Sequence, residues 1–319
     1  MYAPEVGFYE AGGGAGRGGG DFLTSPEVGP LFGAVVARAV DEWWDELGRP
    51  DPFTVVEAGA GRGALAGAVL SAAPACLAAG ALRYVAVERS GALRARHPAG
   101  VMSSAELPAG PIVGVVLANE LLDNLPFKLF ERMAGGGWAE VRVDEHLVEV
   151  LVPADDLAPS PELGLAPDAR PDARIPVQRA AGDWVRQACA MVEAGRVVVV
   201  DYADVTPSLA RRPWTEWVRT YRAHGRGGHP LVELGRQDVT CEVAVDQLPA
   251  PTTNRSQADF LRSHGIELLA AEARDAWQAR AHIGDLQALR DRSRWQEAAA
   301  LTDPGGLGAF RVLEWDQGV

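Results

Sequence analysis

The chain has 319 residues, 47% of them hydrophobic and 23% charged, which is the composition of a globular protein with a sizeable core and not of a disordered or fibrous one. Its net charge of -13 and pI near 5.0 argue against a nucleic-acid partner, which needs a basic track, and leave open a basic protein or peptide partner. Cys76, Cys189 and Cys241 form no CxxC pair, no apolar run approaches the ~20 residues of a membrane span, and MYAPEVGFYE carries no signal-peptide pattern, so neither metal, disulfide framework nor membrane is expected and the protein reads as cytoplasmic.

In chain order, AGGGAGRGGG at 11–20 is a flexible loop by composition, either a lid or a solvated surface loop. Thr24 or Ser25 then caps a helix that has Pro26 at its start and Glu27 in its first turn. Leu31, Val35, Ala39, Trp43 and Leu47 recur at helical spacing, and Gly48 stops the run. From residue 53 the pattern is strand–turn–helix: Phe53–Val56 is a short strand, a glycine-rich turn follows, and ALAGAVLSAA continues as helix. Further strands are expected at 82–88, near Val101–Ser103, at 112–119 and at Arg196–Asp201, the last preceded by a helix over Trp184–Val192. Continuous apolar strands alternating with helices predict a mostly parallel sheet buried on both faces. Trp138–Val152 alternates twice about Glu145–His146 and predicts a β-hairpin; 153–182 reads as a loop or insertion, 204–255 as a cap over the sheet edge, and 272–300 as helical. GAFRVLEW at 308–315 alternates and predicts a final antiparallel strand.

The candidate cofactor site is the turn Glu57-Ala58-Gly59-Ala60-Gly61-Arg62-Gly63. Glycines there allow a tight turn and close backbone approach to a ligand, a weak signal that also satisfies the dinucleotide pattern GxGxxA. Glu57 separates the two readings. A carboxylate at the strand end repels a pyrophosphate but suits S-adenosylmethionine (SAM), which carries an ammonium and a sulfonium and no phosphate. Glu88, at the end of the second strand, stands where a Rossmann-like site holds ribose hydroxyls. The fourth strand ends in Asn119-Glu120-Leu121-Leu122-Asp123-Asn124, and a turn of helix would put Glu120 and Asp123 on one side to align an amine or guanidinium and take its proton.

These residues resemble the MidA-like SAM-dependent methyltransferases, a family that includes the mitochondrial complex I assembly factor that methylates an arginine. The likeness rests on YAPEVGFY (2–9), GDFLTSPEVGPLFG (20–33), VVEAGAGRGAL (55–65), VAVERSGALR (85–94), ANELLDNLPF (118–127), VDYAD (200–204), VRTYRAHG (218–225), GRQDVT (235–240) and GLGAFRVL (306–313), and runs nearly end to end. It departs from the family at Ala60, Asn124 and Ala203, and family members commonly carry a helical segment ahead of the motif in which Tyr2 stands. The resemblance implies a class I methyltransferase α/β fold, SAM as donor and, in one branch, protein arginine as acceptor. The expected cofactor contacts are Glu57, Gly59, Gly61, Gly63, Glu88, Asn119, Thr24 and Pro26, and the expected catalytic acids are Glu120 and Asp123. Asp21, Glu27, Tyr202, Tyr221 and His224 are the expected acceptor contacts.

One domain is expected over 1–319: a lid and helix segment 1–50, a core of 51–130 and 183–204, an insertion 131–182, a cap 205–255, and C-terminal helices with the final strand over 256–319. Alternative readings are a small-molecule methyltransferase, an NAD(P)-dependent oxidoreductase, and a silent assembly protein of the same fold. The second lacks a Tyr-x-x-x-Lys pair.

Overall fold

The computed structural model describes residues 24–222, 225–283 and 285–318. Its first helical segment is broken in two, α1 (Ser25–Val28) and α2 (Pro30–Glu46), where one continuous helix is expected. Thr24 occupies the cap position without a side-chain cap bond. Along α2, Leu31, Val35, Ala39 and Trp43 are almost completely buried, as their spacing predicts. Gly48 ends the helix, its N–H donating to Asp45 O while Arg49 N–H reaches back to Trp44 O.

Then come β1 (Phe53–Ala58), α3 (Ala64–Ser71), β2 (Leu82–Val87), β3 (Met102–Ser104), β4 (Ile112–Asn119), β5 (Lys128–Arg132), β6 (Trp138–Val143), β7 (Glu149–Pro153) and β8 (Arg174–Val177). They are followed by α4 (Arg179–Met191), β9 (Val192–Asp201), β10 (Val218–Arg222), β11 (Asp238–Cys241), β12 (Thr253–Ser256), α5 (Gln257–Ser263), α6 (Ile266–Arg280), α7 (Leu286–Leu301) and β13 (Arg311–Gln317).

Among the described residues the main sheet has seven strands in the order β12-β13-β9-β4-β1-β2-β3. β1, β2, β3, β4 and β9 run parallel, and β13 is antiparallel to β9, as expected of a class I fold. The apolar runs explain the two-sided burial. Val55, Val115 and Val198 face a core shared with α2, α3 and Phe260, whereas the next residues, Val56, Val116 and Val199, face α4 through Val185 and Ala188.

The hairpin at 138–153 forms, and it is half of a second, four-stranded antiparallel sheet in the order β7-β6-β5-β8. Its last strand comes out of the segment read as loop: Arg174 of β8 bonds Glu131 at 2.7 Å and Glu149 at 2.6 Å, tying strands that are distant in sequence. The 204–255 region carries its own small sheet of β10, β11 and Gly225–Arg226. Its final residues depart from the expected cap, because Thr253–Ser256 joins the main sheet beside β13. The helical stretch 272–300 is two helices, α6 and α7, packed against each other. No helix among the described residues is long and apolar enough to cross a membrane.

Candidate functional site

The strand order reverses at β1, whose neighbours are β4 and β2. At such a switch point the loops leave the sheet in opposite directions and open a crevice at the carboxyl ends of the strands. Two adjoining cavities lie there, of about 110 and 870 Å³, sharing Gly59, Glu88, Leu121 and Asn124. The smaller is roofed by Thr24, Pro26 and Glu27 of α1 and walled by Glu57, the glycine turn, Asn119 and Glu120. The larger continues past Glu106 and Leu107 beyond β3 toward Phe127 and Trp184.

Four carboxyl groups face the smaller cavity, each held differently. Glu57, 5% exposed, accepts from Tyr84 Oη at 2.8 Å and from the backbone N–H of Ala66 in the first turn of α3. Burial nevertheless pushes its carboxyl up to about 7. Tyr84 is two residues before Ala86, the register partner of Glu57 on β2, so the period of two puts both side chains on one face. Glu88 accepts from Gly61 N at 3.1 Å and Ser90 N at 2.8 Å, fixing the second glycine of the turn, and burial raises its carboxyl as well. Glu27 is driven to about 7 by burial, with the Arg62 guanidinium opposing. Glu120 rises furthest, to about 8, because burial and the neighbouring Asp123 outweigh the hydrogen bonds from Asn119 and Ser25 N–H.

Nine of the expected site residues line the smaller cavity: Thr24, Pro26, Glu27, Glu57, Gly59, Gly61, Glu88, Asn119 and Glu120. Gly63 does not. It starts α3 on the far side of the turn, where a Cβ would meet Pro98 Cδ at 2.6 Å. Gly59 lines the cavity, but a Cβ there would point at Leu121 Cδ1, 3.0 Å away, and its φ of 71° is a second reason for glycine.

Glu120 and Asp123 do not share one exposed side. Glu120 has a φ of 51°, which turns the chain, and Asp123 sits in a short 3₁₀ turn over Leu122–Asn124 with 3% exposure. The Asp123 carboxylate accepts from Tyr202 Oη and from Asn124 Nδ2, both at 2.8 Å, and lines neither cavity. Asp201, at the end of β9, holds that turn by accepting from Leu122 N at 3.0 Å and Asp123 N at 3.2 Å. Burial raises the pKa of both carboxyls. Tyr202 is committed to this layer, with Thr240 Oγ1 2.5 Å from its hydroxyl and Arg219 over its ring, so it is not a channel wall. Tyr221 pairs with Asp238 and Arg226 in the small sheet and lines neither cavity. Asp21 and His224, and the whole glycine-rich tract 11–20, lie outside the described residues.

The sequence does not assign Arg62, Leu121 or Asn124 to the site, yet all three line the smaller cavity. Arg62 had a signal, since a charged residue among the glycines of a binding turn has the ligand as its nearest neighbour. Among the described residues, Glu27 Oε2, Asn119 Oδ1 and Arg62 Nε are buried polar atoms without a hydrogen-bond partner. All three residues line the smaller cavity. A buried polar atom left unpaired costs about 1–3 kcal/mol, so three such residues around one cavity mark a polar ligand. Two acceptors and one donor match an amino-acid group, whose ammonium donates and whose carboxylate accepts. SAM ends in such a group, and these residues fit it.

A model of S-adenosyl-L-methionine-dependent methyltransferases matches residues 35–263. Two solved structures from Burkholderia thailandensis cover the whole chain. One is a COG1565 superfamily member bound to S-adenosyl-homocysteine, 30% identical with a TM-score of 0.80 over 86% of its own length. The other is a native COG1565 superfamily protein, 28% identical with a TM-score of 0.78 over 85% of its length. The mitochondrial protein arginine methyltransferase NDUFAF7 homolog of Drosophila melanogaster is 45% identical over 67 residues, which are 21% of this chain and 15% of that protein. The match thus spans about one-seventh of that relative's length. Fold, cavity chemistry and matched length agree, and the chain belongs to this family of SAM-dependent methyltransferases.

Proposed function

We propose that this methyltransferase acts on a protein side-chain nitrogen, that of arginine, with Glu120 as the catalytic carboxylate. The observation that carries the reading is Glu120 itself: a carboxyl in the cavity wall, beside the orphaned Asn119 Oδ1, with its pKa moved to about 8. Such a carboxyl is protonated at neutral pH and ionises when a cation arrives, so it favours a guanidinium or amine over an anionic or apolar acceptor. The partial likeness to a protein arginine methyltransferase supports the same acceptor.

Bound SAM supplies a methyl group activated by its sulfonium. The protein has to orient the acceptor, exclude water and receive one proton as the nitrogen–carbon bond forms and the sulfur–carbon bond breaks. In this reading Glu27 and Asn119 accept from the ammonium of the amino-acid end, Arg62 donates to its carboxylate, and Glu88 accepts from the ribose. Glu57 fixes the strand end and the start of α3. Ionised Glu120 accepts a guanidinium N–H and then its proton. Asp123 is a positioning residue, acting through Asn124, which lines both cavities. Three free thiols, two of them buried, are in keeping with a reducing, cytoplasmic setting.

The test is single-turnover transfer of labelled methyl from SAM to a cell lysate, followed by identification of the labelled residue. Label on arginine is expected. Label on nucleic acid, a carboxylate or a thiol refutes the acidic-pocket argument, and label on lysine or an N-terminal amine refutes arginine alone.

A further inference from the structure

The cavity roof, α1, is held by side chains from the far end of the chain. Ser25, fully buried, donates its hydroxyl to Gln257 Oε1 at 2.9 Å. Gln257, equally buried at the start of α5, donates its amide to the carbonyl of Leu301, the last residue of α7, at 3.0 Å. One turn earlier on α7, Glu297 reaches the junction between α1 and α2 and accepts from Leu31 N at 2.9 Å. The junction residue is Gly29, where a Cβ would lie 2.1 Å from the carboxyl carbon of Glu297. Its φ of 166° is extended backbone open to any residue, so glycine is required here by the carboxylate and not by strain.

Glu297 is 4% exposed and, among the described residues, has no ion-pair partner. Its other oxygen accepts from Ser293 Oγ at 3.2 Å. What it faces is the N-terminus of the 17-residue α2, whose unpaired N–H groups and dipole favour an anion. The same contact fixes α1. From below, Ser25 N–H is bonded to Glu120.

We infer that Glu297 and Gln257 are positioning residues for the cofactor site, setting where α1 holds Thr24, Pro26 and Glu27 and thereby linking cofactor affinity to the seating of α7. Linkage is reciprocal. Whatever displaces α7 weakens cofactor binding, and bound cofactor holds α7 in place. The inference rests on the assignment of Glu27 to the cofactor.

The experiment uses the full chain and S-adenosylhomocysteine, with affinity read by calorimetry and local order by hydrogen exchange over residues 24–32. Glu297→Ala is expected to speed exchange there and to weaken binding about tenfold. Glu297→Gln keeps an oxygen for Leu31 N–H and is expected to stay within about threefold of the unmodified protein. Gly29→Ala displaces the carboxylate without removing it, is expected to behave like Glu297→Ala, and stands in for it should that variant not fold. Glu27→Gln is expected to cost much less in the Glu297→Ala background than alone, because the group it removes is already misplaced. Unchanged affinity in a folded Glu297→Ala or Gly29→Ala protein, or full additivity with Glu27→Gln, overturns the inference. Faster exchange does not rescue it if affinity is unchanged, whereas a Glu27→Gln protein that binds normally fails the assignment of Glu27 on which it rests.

Discussion

Replacing Glu120 with glutamine tests the site in two directions at once. In the folded protein the carboxyl ionises near pH 8, against 4.5 for a free group, because burial and Asp123 oppose its charge. A folded-state pKa above the unfolded one gives stability that is fully present below about pH 4.5 and lost as the pH rises through about 8. Each pH unit of that window corresponds to about 1.4 kcal/mol, so ionised Glu120 costs at most ~5 kcal/mol, and on the order of 3 once the water admitted by the cavity is allowed for. Glutamine keeps an acceptor for Ser25 N–H and does not titrate. Urea unfolding between about pH 5 and pH 9 is therefore expected to show near-equal stabilities at the acid end and an increasing advantage for Glu120→Gln toward the alkaline end. Turnover should fall about 10²–10⁴-fold in the same variant, the usual effect of losing a positioned base. A stability difference that stays flat across the pH range refutes the raised pKa, and a variant with normal turnover refutes the catalytic role.

Methyl transfer by the unmodified protein should rise with pH and level off near 8, since only ionised Glu120 takes up the acceptor cation and its proton; a rate that falls over that interval contradicts the assignment. Glu88→Ala removes the acceptor for both Gly61 N and Ser90 N and should weaken S-adenosylhomocysteine about 10²-fold by calorimetry, with Glu88→Gln losing less. Gly59→Ala forces a Cβ against Leu121 at a positive φ and should cost about 1–2 kcal/mol of stability, seen in urea melts, and should also weaken the ligand, since Leu121 lines both cavities. Arg62→Gln should weaken S-adenosylhomocysteine but not an analogue lacking the carboxylate; equal losses for the two ligands would place Arg62 elsewhere.

The main sheet was legible because its strands are buried on both faces, so apolar runs such as IVGVVLAN mark them with little ambiguity. The cofactor end was legible for a related reason: glycines and acids at strand ends are poor choices without a ligand. Legibility failed where a side chain's direction depends on partners remote in sequence. Asp123 turns inward because Asp201, almost 80 residues on, takes the N–H groups of its turn and Tyr202 takes its carboxylate. Gly59 reads as a space left for the ligand, yet the neighbour its Cβ would strike is Leu121 on the next strand's loop. Gly29 is silent in the sequence, since the carboxylate that requires it is 268 positions away on α7. β8 reads as loop in the sequence because Arg174 and Pro176 dilute a four-residue apolar pattern, and its strand character comes from pairing with β5.

The bonds that seat α1 span 232 and 266 residues, and this has a consequence for synthesis on the ribosome. At about 5–20 residues per second, roughly 15–50 s separate the emergence of Leu31 from that of Glu297. Once residue 119 has emerged β1, β2 and β4 can pair and the glycine turn can form, but Val28, Leu31 and Phe32 have no α7 to pack near and Glu27 in the roof has no fixed position. The nascent chain therefore carries an open, acid-lined crevice with an apolar strap beside it, a form suited to chaperones and ill suited to retaining cofactor. On the inference above, the cofactor site is complete only once Glu297 and Leu301 have emerged and α7 holds α1.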